Sequence, residues 1–198
     1  MPVLSRRSQT EQERRAGELS LIQATEALLA GGSSYADLSI ARISERAGLT
    51  RTAFYFYFRD KRDLLMRATA ETAEGLFDEA DRWWSGTGGP ADLRVALENI
   101  MRSYRDHAAL LRAVVEASSY DEEVGSYWRG LIDQFISATE RRLRAEGHQP
   151  ASAEPTAFAL IWMTERACYQ QVVRGGRLDD RALIDALQAI WERAVYSA

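Results

Sequence analysis

The chain is poor in the residues that carry most enzymatic chemistry and most covalent crosslinks. Its 198 residues include one cysteine, Cys168, one lysine, Lys61, two histidines and four prolines. A lone cysteine excludes an intrachain disulfide, and Cys168 falls within an apolar stripe, as a packing thiol does. His107 and His148 lack metal-ligand spacing to a second histidine or to Cys168, so neither a metal site nor a cofactor is expected. No serine stands in a nucleophile elbow. The segment SGTGGP at 85–90 has the glycines of a phosphate loop without its Lys-Ser/Thr. No stretch alternates like a half-buried strand, and no apolar run approaches the roughly 20 residues needed to span a bilayer. The start, MPVLSRRSQTEQERR, has an arginine pair but no apolar segment behind it, so it does not read as a signal peptide. The expectation is a cytoplasmic protein with no membrane partner.

What is present favours helix: runs of Ala, Leu, Glu and Arg within a 46% hydrophobic composition. The net charge of −4 is unevenly spread. Residues 1–67 carry 11 Arg and Lys against 8 Asp and Glu, and the remainder carries 14 against 21. A mildly basic head on an acidic body suits a protein that meets phosphates at one end. In that head, SIARISERAGLTRTAFYFYFRDK (39–61) reads as two short helices around a tight turn, with a third helix behind. Ser39 and Thr50 are caps, Gly48 is the helix-ending residue, and Asp60 can cap the next helix. Ile40, Ile43, Ala47, Leu49, Phe54 and Phe58 can share one core. Arg42, Arg51, Thr52, Tyr55, Tyr57 and Lys61 are then left facing outward, which describes a helix-turn-helix.

Within this stretch, AGLTRTAFYFYFRDKRDLL resembles the DNA-binding signature of the TetR family of repressors. Gly48, Thr50, Phe54, Tyr55, Phe58 and Lys61 fall in register together. The Tyr-Phe-Tyr-Phe run, Trp-Met-Thr-Glu-Arg at 162–166 and the closing Trp-Glu-Arg-Ala-Val-Tyr resemble the EthR-like branch. The resemblance implies base-reading positions at Arg51 and Thr52, where Arg51 would pair bidentately with guanine. It implies phosphate-contacting positions at Ser39, Thr50, Tyr55, Tyr57 and Lys61, and a phosphate or base contact at Arg42. Ala53 departs from the pattern, standing where Thr or Ser is common. Arg6, Arg7, Arg14 and Arg15 either reach DNA as an arm or belong to a solvated tail.

Nine helices are expected, over about 11–30, 42–47, 51–58, 61–84, 91–105, 108–118, 122–146, 153–174 and 181–196, with residues 1–10 irregular. Residues 1–62 would form the DNA-binding unit and 63–198 a ligand-binding and dimerisation body. The fourth helix, with its Leu64, Ala68, Thr72, Leu76, Ala80 ladder ending near Trp83, is too long for the head alone and should join the two. In the body, Leu97, Ile100 or Met101, Tyr104, Trp128, Phe135, Trp162, Tyr169 and Trp191 lie on inward stripes. They are core packing or, as the EthR-like resemblance implies, the walls of an aromatic tunnel. Thr139, Thr164 and Glu165 would be its polar anchors. Glu165 is either buried, and then needs a partner, or sits at the bundle's edge. Arg166 is not an automatic partner, because successive helix residues diverge by about 100°.

The last helix has two apolar stripes: Leu183, Leu187, Ile190 and Ala194, and Ile184, Trp191 and Val195. Two apolar faces need two partners, and the resemblance implies a homodimer formed through the last two helices. The expected function is a repressor that binds an inverted-repeat, double-stranded operator and is released by a small hydrophobic effector. A DNA-bound activator or scaffold, or a helical enzyme using the body pocket, is the rival reading.

Overall fold

The computed structural model describes residues 6–85 and 88–196, and among them it is all-helical. The α-helices are α1 (Arg6–Ala30), α2 (Ile40–Arg46), α3 (Arg51–Tyr57), α4 (Lys61–Trp84), α5 (Pro90–Asp106), α6 (Ala108–Ala117), α7 (Glu122–Ala145), α8 (Pro150–Cys168) and α9 (Asp180–Tyr196). A π-helical turn, Tyr169–Val173, continues α8. Nine α-helices among the described residues match the expected order, most bounds falling within two residues. Helix α1 begins at Arg6, earlier than expected. The side chains of Arg6 and Arg7, and part of the 85–90 loop, lie outside the described residues.

The head core forms where α1, α2, α3 and the start of α4 meet. Leu21, Ile43, Phe54, Leu64 and Leu65 are wholly buried there, with Phe58 beside them. Helix α4 has 24 residues and runs about 36 Å at 1.5 Å per residue. It contacts α1 in the head and α5, α6 and α7 in the body. Around it the body buries Leu93, Leu97, Met101, Val114, Val124, Leu143 and Trp191. Among the described residues, no helix is long and apolar enough to cross a membrane.

Ion pairs span the seam between head and body. Arg59 Nη2 lies 3.0 Å from Glu123 Oε1, and Arg62 Nη1 lies 3.4 Å from Glu123 Oε2. On the other side, His107 Nδ1 is 3.1 Å from Glu26 Oε1, tying the start of α6 to α1. That hydrogen bond raises the imidazole pKa above its ordinary 6.5 despite partial burial, and Asp106 adds to the rise. The protonated ring is therefore favoured by folding. Its contribution is complete below the unfolded pKa and is lost as pH rises through the higher folded value. Melting curves of wild type should thus gain more between pH 8 and pH 6 than those of His107→Gln. Equal gains would show that the pair is indifferent to protonation.

Candidate functional site

Local hydrogen bonds explain the geometry of the head. Ser39 Oγ accepts from the Arg42 N–H at 3.2 Å, and Thr50 Oγ1 accepts from the Ala53 N–H at 3.0 Å. Each hydroxyl keeps its own proton for a further acceptor. Gly48 turns the chain at φ +69°, where a side chain would be strained. Asp60 Oδ1 accepts from the N–H groups of Arg62 and Asp63, opening α4. Phe54 and Phe58, 5.7 Å apart, anchor α3 from beneath. Ser39, Arg42, Thr50, Arg51, Thr52 and Tyr55 are all exposed on the outer side. They share it with Phe56, 69% exposed, which sequence reasoning passed over as one member of an aromatic run.

Two expected outward residues are placed differently. Tyr57 is half-buried, and its hydroxyl end occupies the space a Cβ on Gly17 would need. Glycine at position 17 lets α1 and α3 approach through that ring. Lys61 Nζ donates to three backbone carbonyls, Tyr35 at 3.0 Å, Ala36 at 2.9 Å and Leu38 at 3.2 Å. It also lies 4.8 Å from the centroid of the Tyr35 ring. An ammonium has three N–H donors, and all three are taken in pinning the α1–α2 linker. Partial burial pulls its pKa below the ordinary lysine value.

In the body, residues of α4 to α9 line a partly open, apolar cavity of about 90 Å³. Leu97, Ile100, Tyr104, Trp128, Phe135, Thr164, Glu165 and Trp191 line it, as expected from the sequence. Four others do not. Met101 is buried in the α5 packing, so the choice between it and Ile100 falls to Ile100. Thr139 is buried and accepts a hydrogen bond from Trp84 Nε1 at 3.3 Å. Trp162 packs beside the exposed Phe158, and Tyr169 lies beneath the Arg166 guanidinium at 5.0 Å. The wall that sequence reasoning missed is α4: Thr69, Thr72, Ala73, Leu76, Ala80, Trp83 and Trp84. Its i, i+4 ladder already carried the signal, but it had been read as a strut.

Most polar groups in the lining are already paired. Thr69 and Thr72 donate to the carbonyls of Leu65 and Ala68. Thr164 donates to the Leu160 carbonyl at 2.9 Å and accepts from Trp191 Nε1 at 2.9 Å. Glu165 differs. It is 5% exposed, and neither carboxylate oxygen accepts a hydrogen bond of good geometry, although the Tyr104 hydroxyl lies close by. Its one charged neighbour is Arg166, with Nη2 3.4 Å from Oε2, so the adjacent arginine does reach it in spite of the helical divergence. Burial raises the carboxyl pKa, and Arg166 and the nearby Tyr104 hydroxyl only partly oppose this. Cys168, one turn on, is buried with its thiol pushed up to about 12, the state of an unreactive packing residue.

On α9, Ile184, Leu187, Trp191 and Val195 face inward. Leu187 satisfies the spacing of both apolar stripes, and packing against the body claims it for the inner one. Leu183 and Ala194 are half-buried and Ile190 is 44% exposed on α9, and on α8 the exposed Phe158 has the half-buried Trp162 beside it.

A capped helix-turn-helix joined through one long helix to a cavity-bearing helical body defines a helix-turn-helix transcriptional regulator. Residues 21–68 match the model of bacterial regulatory proteins of the tetR family, and residues 93–197 match the C-terminal domain of the transcriptional regulator EthR. The chain belongs to the TetR family, with an EthR-type body. It is 28% identical over 189 residues to the HTH-type transcriptional regulator EthR of Mycolicibacterium smegmatis, covering 88% of this chain and 84% of that one. It is 26% identical over 192 residues to EthR of Mycobacterium tuberculosis strain H37Rv, covering 90% and 87%. The fold is shared with a TetR-like transcriptional regulator from Rhodococcus sp. RHA1, at a TM-score of 0.69 and 19% identity, covering 92% and 97% of the two chains.

Proposed function

We propose that the protein is a homodimeric repressor whose residues 1–62 bind an inverted-repeat operator and whose residues 63–198 bind a small hydrophobic effector that releases it. Arg51 and Thr52 read bases, and Ser39, Arg42, Thr50 and Tyr55 meet the backbone. Tyr57 and Lys61 support them by holding α3 and the linker in place. The observation that carries the reading is the double role of α4, which opens in the head core and walls the cavity with seven residues. A ligand pressing on that wall acts on the element that holds the head. A moderate change in operator affinity asks only about 1–3 kcal/mol of preference between the two arrangements.

An operator can be recovered by selecting duplexes from a random pool. Apolar ligands found by thermal shift should raise the melting temperature and weaken binding to that duplex. Trp128→Ala should remove both effects and leave DNA affinity unchanged. Ligands that bind tightly yet never alter operator affinity would leave the body without a switching role.

The dimer is proposed to form through the solvent-facing apolar residues of α8 and α9. Ile190→Glu should give a folded monomer by sedimentation, since it places a charge in an apolar contact. Leu187→Glu should instead lower the melting temperature, because Leu187 faces the protein's own core. A folded Ile190→Glu dimer would move the interface elsewhere.

A further inference from the structure

The cavity contains one group whose chemistry its surroundings do not satisfy. Among the described residues of the lining Glu165 is the only charged side chain; it is 95% removed from solvent, with no hydrogen bond of good geometry on either oxygen and only the Tyr104 hydroxyl close by. A carboxylate so placed requires a donor or a counter-charge. Arg166 supplies a partial one from outside, at 3.4 Å from Oε2 alone, while its half-exposed guanidinium lies over the Tyr169 ring. The Tyr104 hydroxyl close by does not complete the set, since neither oxygen accepts a hydrogen bond of good geometry. Thr164 beside it already donates to a carbonyl, and Trp191 Nε1 already donates to Thr164.

We propose that the cavity's ligand carries a protonated amine at one end, received by Glu165, with an apolar remainder lying along the α4 and α7 walls. This rests on the effector reading and deepens it. An ammonium brings both the N–H donors and the positive charge that the carboxylate lacks. Tyr104, Trp128 and Trp191 share the lining with Glu165, and aromatic rings attract a cation more than they do an anion. An anionic head is disfavoured twice over. It meets the buried carboxylate as a like charge, and the described lining residues include no Lys, Arg or His to pair with it. A neutral hydroxyl can donate one hydrogen bond but leaves the charge uncompensated.

The test uses three probes of equal chain length, decylamine, decanol and decanoate, titrated at pH 7 against full-length wild type and Glu165→Gln by tryptophan fluorescence and calorimetry. Wild type should bind decylamine at least about tenfold more tightly than decanol, and decanoate most weakly. In Glu165→Gln the preference for amine over alcohol should fall to within about twofold, with decanol affinity unchanged. Retained decanol binding shows that the variant's cavity is intact. Decanol or decanoate binding wild type as well as decylamine would overturn the proposal, as would a full amine preference in Glu165→Gln. If decylamine binds through Glu165 but leaves operator affinity unchanged, the amine site stands and the release mechanism fails. If no probe binds, both fall.

Discussion

Lys61→Met should lower the melting temperature by about 4–12 °C, whereas Arg51→Ala should leave it unchanged; operator binding should fail in both for different reasons. The methionine keeps the apolar stem of Lys61 and removes the ammonium. Three linker carbonyls, those of Tyr35, Ala36 and Leu38, then lose their charged donor. Hydrogen bonds to charged groups contribute about 1.5–3 kcal/mol each when well shielded. The site is only partly buried, so about 2–4 kcal/mol in total is a reasonable expectation. The linker sets where α2 lies against α1, so loosening it should weaken binding to operator and random duplex alike. Arg51 is exposed at the first turn of α3 and supports nothing in the head. Losing a bidentate base contact should cost about 1–3 kcal/mol on the operator and little on random DNA. Melting curves and salt titrations separate the cases. If Lys61→Met melts like wild type and lowers the salt slope by about one, Lys61 is a plain phosphate contact after all.

The second large effect is expected at Arg142, which is 2% exposed. Its guanidinium donates to the carbonyl of Trp83, to the carbonyl of Gly88 at 2.8 Å and to Glu146 Oε1 at 2.6 Å. It also lies over the Trp83 ring at 5.2 Å from the centroid. One planar fork thus joins the end of α4, the following loop and α7, with the Tyr196 hydroxyl of α9 at 3.4 Å. Arg142→Ala removes these partners and leaves buried carbonyls and a carboxylate behind, which should cost about 3–5 kcal/mol. Arg142→Lys should recover little, because an ammonium cannot reproduce the planar fork. Denaturant unfolding decides it. A loss below about 1 kcal/mol in Arg142→Ala would mean that water replaces the arginine readily.

The helices were legible because α-helical periodicity and caps are local. Ser39, Thr50, Gly48 and Asp60 announce their roles within three residues of sequence. The outward face of α3 followed from the same periodicity. What failed depends on contacts between distant segments. Lys61 was read as free because its partners lie more than 20 residues upstream. Tyr57 was read as exposed because nothing near it in sequence points to Gly17. Trp162 and Leu187 each sit at the boundary of two apolar stripes, where spacing permits either side and only packing decides. The π-helical turn after Cys168 left no mark in the residue pattern. Glu165 was noticed because a carboxylate on an apolar stripe is anomalous by itself, and burial needed the structure to establish.

The Arg142 fork has a mechanical consequence. It fastens α4 at its C-terminal end, where Trp83 and the loop behind it are held, while the N-terminal end carries the head. A rod fixed at one end cannot slide along its axis; it can only swing. Over about 36 Å, a swing of about 5° displaces the far end by about 3 Å. In the proposed dimer, two heads set for successive major grooves roughly 34 Å apart would register such a displacement twice, once per subunit. Under the proposed function, a ligand pushing at mid-rod, against Thr72 and Leu76, has a longer arm about the pivot than one pushing beside Trp83, and the head moves further than the wall it pushes.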